Sequence, residues 1–146
     1  MEVTASVARG LLNRWLSSMA WPPAQRDDIV LAVNEAISNA IEHAYLAQPA
    51  GHIQLDATAA ALTPSDAAAA GAPGQRYVTI QVRDHGVWRP APADDENRRR
   101  GIPIMRACMD TVTIEALVTP AGDPAGTRVT LRSNPVPPPE NTTDSS

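Results

Sequence analysis

Residues 24–46 carry a pattern that an amphipathic helix satisfies and a strand does not. At about 100° per residue, Glu35, Asn39 and Glu42 fall within an arc of roughly 60°. Ile29, Val30, Val33, Ile37, Ile41 and Ala44 occupy the opposite arc. A helix so built buries its aliphatic stripe in a core and presents a carboxylate and a carboxamide together on the other side. Glu35 and Asn39 then suit coordination of Mg²⁺ and removal of a proton from a hydroxyl. The same stripe also fits a surface helix with a solvated polar face, and the rest of the chain decides between the two.

With 146 residues the chain reads as one domain, long enough for a substantial core. No apolar run approaches the length of a membrane span, and the N-terminus has an acid and amphipathic spacing where a signal peptide would be apolar. The expectation is a cytoplasmic protein that does not engage a membrane. The lone cysteine, Cys108, excludes an internal disulfide and a cysteine-built zinc site. Its neighbours Ile104, Met105 and Met109 mark it as a packed helix position. All 12 basic residues are arginine. Without a lysine the chain has neither a P-loop nor the strand lysine of the protein-kinase fold, and no Schiff-base chemistry. A net charge of −4 argues against direct nucleic-acid binding, leaving room only for a local arginine patch.

Helical spacing of Val7, Leu11 and Trp15 with Leu12, Leu16 and Met19 predicts a first helix over 3–20. Trp21-Pro22-Pro23 breaks it, Pro23 suits the first turn of the next helix, and Asp27-Asp28 suit its positive end. A strand is expected over 52–58, then a variable loop over 59–76 rich in Ala, Pro and Gly. Residues 77–83 alternate cleanly and read as the next strand, running into Asp84-His85-Gly86. A polar stretch, 88–100, leads to a short apolar helix opening at Gly101. Strands are expected over 111–118 and 126–132, joined by a loop holding Gly122, Pro124 and Gly126, and then a disordered tail over 133–146. The sum is an α/β (α+β) two-layer sandwich, helices on a mixed, mostly antiparallel sheet.

Three patches carry chemistry, in order along the chain. The first is the Glu35/Asn39 face. The second is Asp84-x-Gly86 at a strand end, where an aspartate can accept from an exocyclic amine and glycine lets the backbone approach a planar ring. The third is Arg100-Gly101 at an expected helix start, where free N–H groups favour phosphate. Singly, an Asp-x-Gly also reads as a turn and an Arg-Gly as a cap. In combination, and on these elements, they are far more specific.

This order of motifs resembles the bacterial anti-sigma-factor serine kinases, a branch of the GHKL superfamily of ATPases that includes gyrase, histidine kinases and MutL. The likeness runs from about residue 3 to 132. It comprises Glu35-x-x-x-Asn39 continuing through Ala40-Ile41-Glu42-His43-Ala44-Tyr45, then Asp84-His85-Gly86-Val87-Trp88. Arg100-Gly101-Ile102-Pro103-Ile104-Met105 and Gly126-Thr127-Arg128-Val129 complete it.

The resemblance implies a GHKL (Bergerat) ATP-binding fold across 1–132, binding ATP with Mg²⁺. Glu35 would be the catalytic base for a substrate serine, and Asn39 would hold Mg²⁺ against the phosphates. Asp84 would bind the adenine amine with help from Gly86 and Thr127. His43, Arg100, Gly101 and Ile102 would complete the nucleotide site, and 89–100 would form its lid. The implied partners are an anti-anti-sigma protein as phosphorylation substrate and a sigma factor as the sequestered protein, with a homodimer left open. Two departures stand out. Trp88 replaces the second glycine of many relatives, and the strand that usually precedes the first helix is missing, as in a truncated chain or an excised domain. The alternative is a nucleotide-binding anti-sigma or regulatory module without kinase activity, possible as a piece of a larger phosphatase or sensor. Retention of both Glu35 and Asn39 favours the enzyme, since a pure binder does not need a base.

Overall fold

The computed structural model describes residues 5–44, 53–62, 74–84 and 96–138. Helices α1 (Ala5–Ser18) and α2 (Pro23–Ala44) come first, followed by strands β1 (Ile53–Ala61) and β2 (Arg76–Asp84). Helix α3 (Glu96–Cys108) and strands β3 (Thr111–Val118) and β4 (Pro124–Arg132) complete the order. The strands form one sheet, β1-β2-β4-β3, and every described pairing is antiparallel, in keeping with the mostly antiparallel sheet expected. The helices lie on one face, so the α/β sandwich stands.

The period of two along β2 turns Val78, Ile80 and Val82 toward the helices. On β4, Leu131 and Val129 sit opposite Ile80 and Val82 and extend the same apolar surface. Helix α2 lays Ile29, Val33 and Ile37 onto it, and Ala8, Leu12 and Leu16 of α1 seal the flank. Ala32, Ala36 and Ala40 are buried as well. Their small side chains let α2 approach the sheet and its neighbours closely while the packing stays dense. Burying each of the larger aliphatic side chains stabilises the fold by about 1.5–3 kcal/mol.

Helix α1 ends earlier than its apolar spacing suggests. Trp21 N donates to Leu16 O at 2.9 Å and Ala20 N to Ser17 O at 3.0 Å. With Ala20 at φ 53°, this is a Schellman turn, closed by contact between buried Leu16 and Trp21. Alanine holds a left-handed position that usually belongs to glycine. Pro22 O accepts from Arg26 N, so Pro23 does open α2, as expected. Asp27 and Asp28 lie beyond the first turn, where the helix dipole has faded, so they are not the expected end charges.

Two boundaries extend the sheet. Residues 59–61, expected in a loop, continue β1 because they pair with 76–78 of β2. Pro124 begins β4 at a strand's first residue, where no ladder donor is needed. Before it, Gly122 N donates to Thr119 O at 2.8 Å and Thr119 N to Asp123 O at 2.8 Å, with Gly122 at φ 88°. That turn demands glycine.

The expected disorder from residue 133 is corrected for 133–138. Val78 N donates to Ser133 Oγ and Ser133 N to Val78 O, both at 2.9 Å. Arg76 and Val136 exchange backbone bonds at 3.0 and 2.8 Å. Burial of Val136 and satisfaction of these backbone groups outweigh a proline-rich composition. Residues 139–146 lie outside the described part. Arg76 ties this segment to the α1–α2 turn. Its guanidinium donates to Met19 O, to Ala20 O at 3.3 Å and to Pro137 O at 3.3 Å, and lies 4.7 Å from the Trp21 ring centroid.

Two outcomes follow for chemical denaturation. Ala20→Gly should stabilise the protein by about 0.5–1 kcal/mol, opposite to the usual effect of glycine, because it removes a left-handed alanine. Arg76→Ala should cost about 2 kcal/mol, and Arg76→Lys should recover less than half, since an ammonium cannot fork to several carbonyls while stacking on Trp21.

Candidate functional site

Asp84 closes β2 on the helix-facing side and is 5% exposed, an acid at the end of an otherwise apolar row. Its register partners are Ile53 on β1 and Thr127 on β4. Thr127 N donates to Asp84 Oδ1 at 3.2 Å, which fixes the carboxylate's direction. Thr127 Oγ1 is buried and has no hydrogen-bond partner. A buried hydroxyl left unpaired costs about 1–3 kcal/mol. Such an atom beside a buried carboxylate is a group waiting for a polar ligand. A planar heterocycle with an amine donor matches the pair, because the carboxylate accepts and the hydroxyl can donate or accept.

Glu35 and Asn39 are both half-buried on α2, one turn apart. Their position relative to Asp84 follows from how α2 crosses the sheet. At its N-terminal end, Gln25, Asp28 and Ile29 share a small crevice with Ser133 and Asn134, just past β4, and with Cys108, the last residue of α3. From Asp28 to Asn39 the helix rises about 16 Å. From Ser133 back to Thr127 the chain runs about 20 Å. Asn39 is therefore well removed along α2 from the Ser133 end of β4, whose opposite end holds Thr127 beside Asp84. Helix α3 packs along α2 with its C-terminus at α2's N-terminus, so its opening turns extend toward the Asn39 half.

Cys108 reports the electrostatics of this helix pair. Burial pushes its thiol pKa up, and the carboxylates of Asp28 and Glu35 push it further in the same direction. The thiol is a protonated packing group, as its sequence neighbours suggest, and not a nucleophile. The crevice that it lines lies at the end of α2 away from Asn39.

One premise of the third patch changes. Helix α3 starts at Glu96, so Arg100 and Gly101 are its fifth and sixth residues and not its opening. Backbone N–H groups there belong to the helical ladder, and the free-donor argument for phosphate does not hold in this structure. Pro103 explains the misreading, because proline favours a first turn and here lies inside the helix, exposed. Ile102 is half-buried and packs against the core. Residues 96–100, assigned by resemblance to a lid, are helical in backbone, while 89–95 lie outside the described residues. Gly86 lies outside them too. His43 is on the last turn of α2, and its side chain is not among those described.

Of the expected site residues, the structure thus joins Asp84 to Thr127 directly, and it places Glu35 and Asn39 together on α2. The Asp84–Thr127 contact spans 43 positions, and nothing in local spacing foretells the bond or the unpaired hydroxyl beside it. Among the described residues no three metal-ligating side chains cluster, and no helix is long and apolar enough to cross a membrane.

A search of curated proteins gives no match. The sequence profile of the Histidine kinase-like ATPase domain matches residues 2–133, nearly the whole described chain and all of the elements above. The chain belongs to the family of histidine kinase-like ATPase domains, and its antiparallel sheet under three helices is the GHKL-type ATP-binding fold.

Proposed function

We propose that the protein is an ATP-dependent protein serine kinase that phosphorylates an anti-anti-sigma protein and sequesters a sigma factor. ATP binding is the chemistry of the family. The observation that carries the nucleotide reading is the buried Asp84 held by Thr127 N, with Thr127 Oγ1 unpaired beside it. In this reading Asp84 accepts the adenine amine and Thr127 supplies the second polar contact. Asn39 would hold Mg²⁺ through its side-chain oxygen, as suits an ion that binds few protein ligands and keeps much of its water. Mg²⁺ neutralises charge on the phosphates when bound.

Glu35 separates a kinase from a binder. It lies one turn before Asn39, half-buried, on the face that flanks α3. The substrate serine oxygen forms a bond to the γ-phosphorus, the bond from that phosphorus to the β–γ bridging oxygen breaks, and ADP leaves. Glu35 takes the hydroxyl proton. Positioning and charge neutralisation do most of the remaining work. The partners follow from the resemblance of the N-terminal motif Glu35-x-x-x-Asn39 and its continuation to the anti-sigma kinase branch. Mixing the protein with Mg-ATP and candidate anti-anti-sigma proteins, then reading phosphoserine by mass spectrometry, tests this directly. Transfer to no candidate, with ATP binding intact, would favour the binding module.

ATP at a hundredfold excess over its Kd should stabilise the fold by about 2.7 kcal/mol, read as a rise in Tm. Asp84→Asn should abolish most of that rise, because half of the acceptor becomes a donor.

Glu35→Gln and Asn39→Ala should fail differently. General-base help is worth about 10²–10⁴ in rate, so Glu35→Gln should lose that much single-turnover transfer and keep its ATP affinity. Asn39→Ala should lose Mg²⁺-dependent ATP affinity as well as transfer. Wild-type transfer by Glu35→Gln would end its assignment as base.

A further inference from the structure

We propose that the open face of the sheet is a docking surface for an acidic protein segment, recognised by Arg83, Arg128 and Arg132. This lies apart from the nucleotide site and does not depend on it. Apart from Gly126, the residues whose register turns them away from the helices are half-buried or exposed, and among the described residues no element covers this face. Its centre is cationic. Arg83 on β2 is the register partner of Arg128 on β4, two like charges directly opposite, which is destabilising in isolation. Arg132 lies four residues further along β4, about 13 Å away, on the same face.

The three guanidiniums are short of acceptors. Nε of each is buried without a hydrogen-bond partner. Arg128 has one carboxylate, Glu115 on β3, whereas Arg83 and Arg132 have none among the described residues. Arg132 instead lies 3.9 Å from the ring centroid of Tyr77, which holds its planar fork in place. A guanidinium whose Nε is already out of water loses less on meeting a carboxylate at its outer nitrogens, and the two-pronged fit adds geometric specificity.

Charge complementarity names the occupant. Among the described residues Asp56 and Glu115 are the acids on this face, Asp56 being engaged by Gln54 Nε2 at 3.2 Å. Three cations therefore outnumber two anions here, on a chain whose net charge is −4. A polynucleotide would bring a continuous run of phosphates into the field of a net acidic protein, with few cations to release its counterions. A protein segment with two or three carboxylates avoids that. In an extended segment, acids four residues apart match the spacing from Arg128 to Arg132.

Fluorescein-labelled decaglutamate is the probe, with labelled decalysine and a single-stranded oligothymidylate beside it, followed by anisotropy at low ionic strength. Decaglutamate should bind the wild-type protein and shift the side-chain Nε–H NMR signals of Arg83, Arg128 and Arg132. Arg83→Gln/Arg132→Gln should weaken it by about tenfold or more with Tm and ATP affinity retained. Arg83→Lys/Arg132→Lys should recover only part of the loss, because an ammonium keeps the charge but not the two-pronged fit, and Arg9→Gln/Arg14→Gln, on exposed positions of α1, should bind as wild type. The proposal is overturned if decaglutamate does not bind, if the glutamine pair binds it as well as wild type, or if oligothymidylate binds more tightly. Sedimentation showing that this face is closed by a second copy would overturn it too.

Discussion

Packing of α2 across β2 and β4 is the constraint on which everything else depends. Ile29, Val33 and Ile37 meet Val78, Ile80, Val82 and Leu131, and the alanines at 32, 36 and 40 let the helix lie low. That contact fixes the rotation of α2, so Glu35 and Asn39 cannot enter the core and stay on the flank shared with α3. A rotation of α2 that brought Ala36 and Ala40 to that flank would put apolar groups where the polar pair must stand.

The sequence made the sheet's inner face and α2 legible because burial on one side imposes a period, and a period is visible locally. The alternation over 77–83 and the i, i+4 stripe of α2 both survive in the structure. The buried alanines were less visible, since alanine is common in this chain and carries little signal alone. Features decided by distant partners were hidden. Residues 59–61 are strand because β2 pairs with them, and Val136 is ordered because Arg76 does. The start of α3 was misplaced because Pro103 imitates a first turn. At the site, residue types and order pointed to Asp84 and Thr127, whereas the bond between them and the unpaired hydroxyl needed the fold.

Strain and unmet hydrogen-bonding capacity are distributed unevenly. Ala20 carries backbone strain at the α1–α2 turn, far from the chemistry, and Arg76 with Trp21 and the C-terminal segment clamps that turn shut. Apart from Trp21 Nε1 at that turn, the buried polar atoms without a partner among the described residues are at Thr127 and among the arginines of the outer face. The first set stabilises the scaffold. The second is where binding would return more free energy than it costs, once at the end of the sheet and once across its open side.

The central claim is that the Asp84–Thr127 strand end recognises the amine of adenine. Calorimetry of ATP against purine riboside triphosphate, which lacks only that amine, tests it most directly, in the wild-type protein and in Asp84→Asn. Wild-type protein should bind ATP at least about tenfold more tightly than the analogue, a difference of about 1.4 kcal/mol, and Asp84→Asn should erase the preference. Equal affinity of the wild-type protein for the two nucleotides, or a preference that survives in Asp84→Asn, would contradict it.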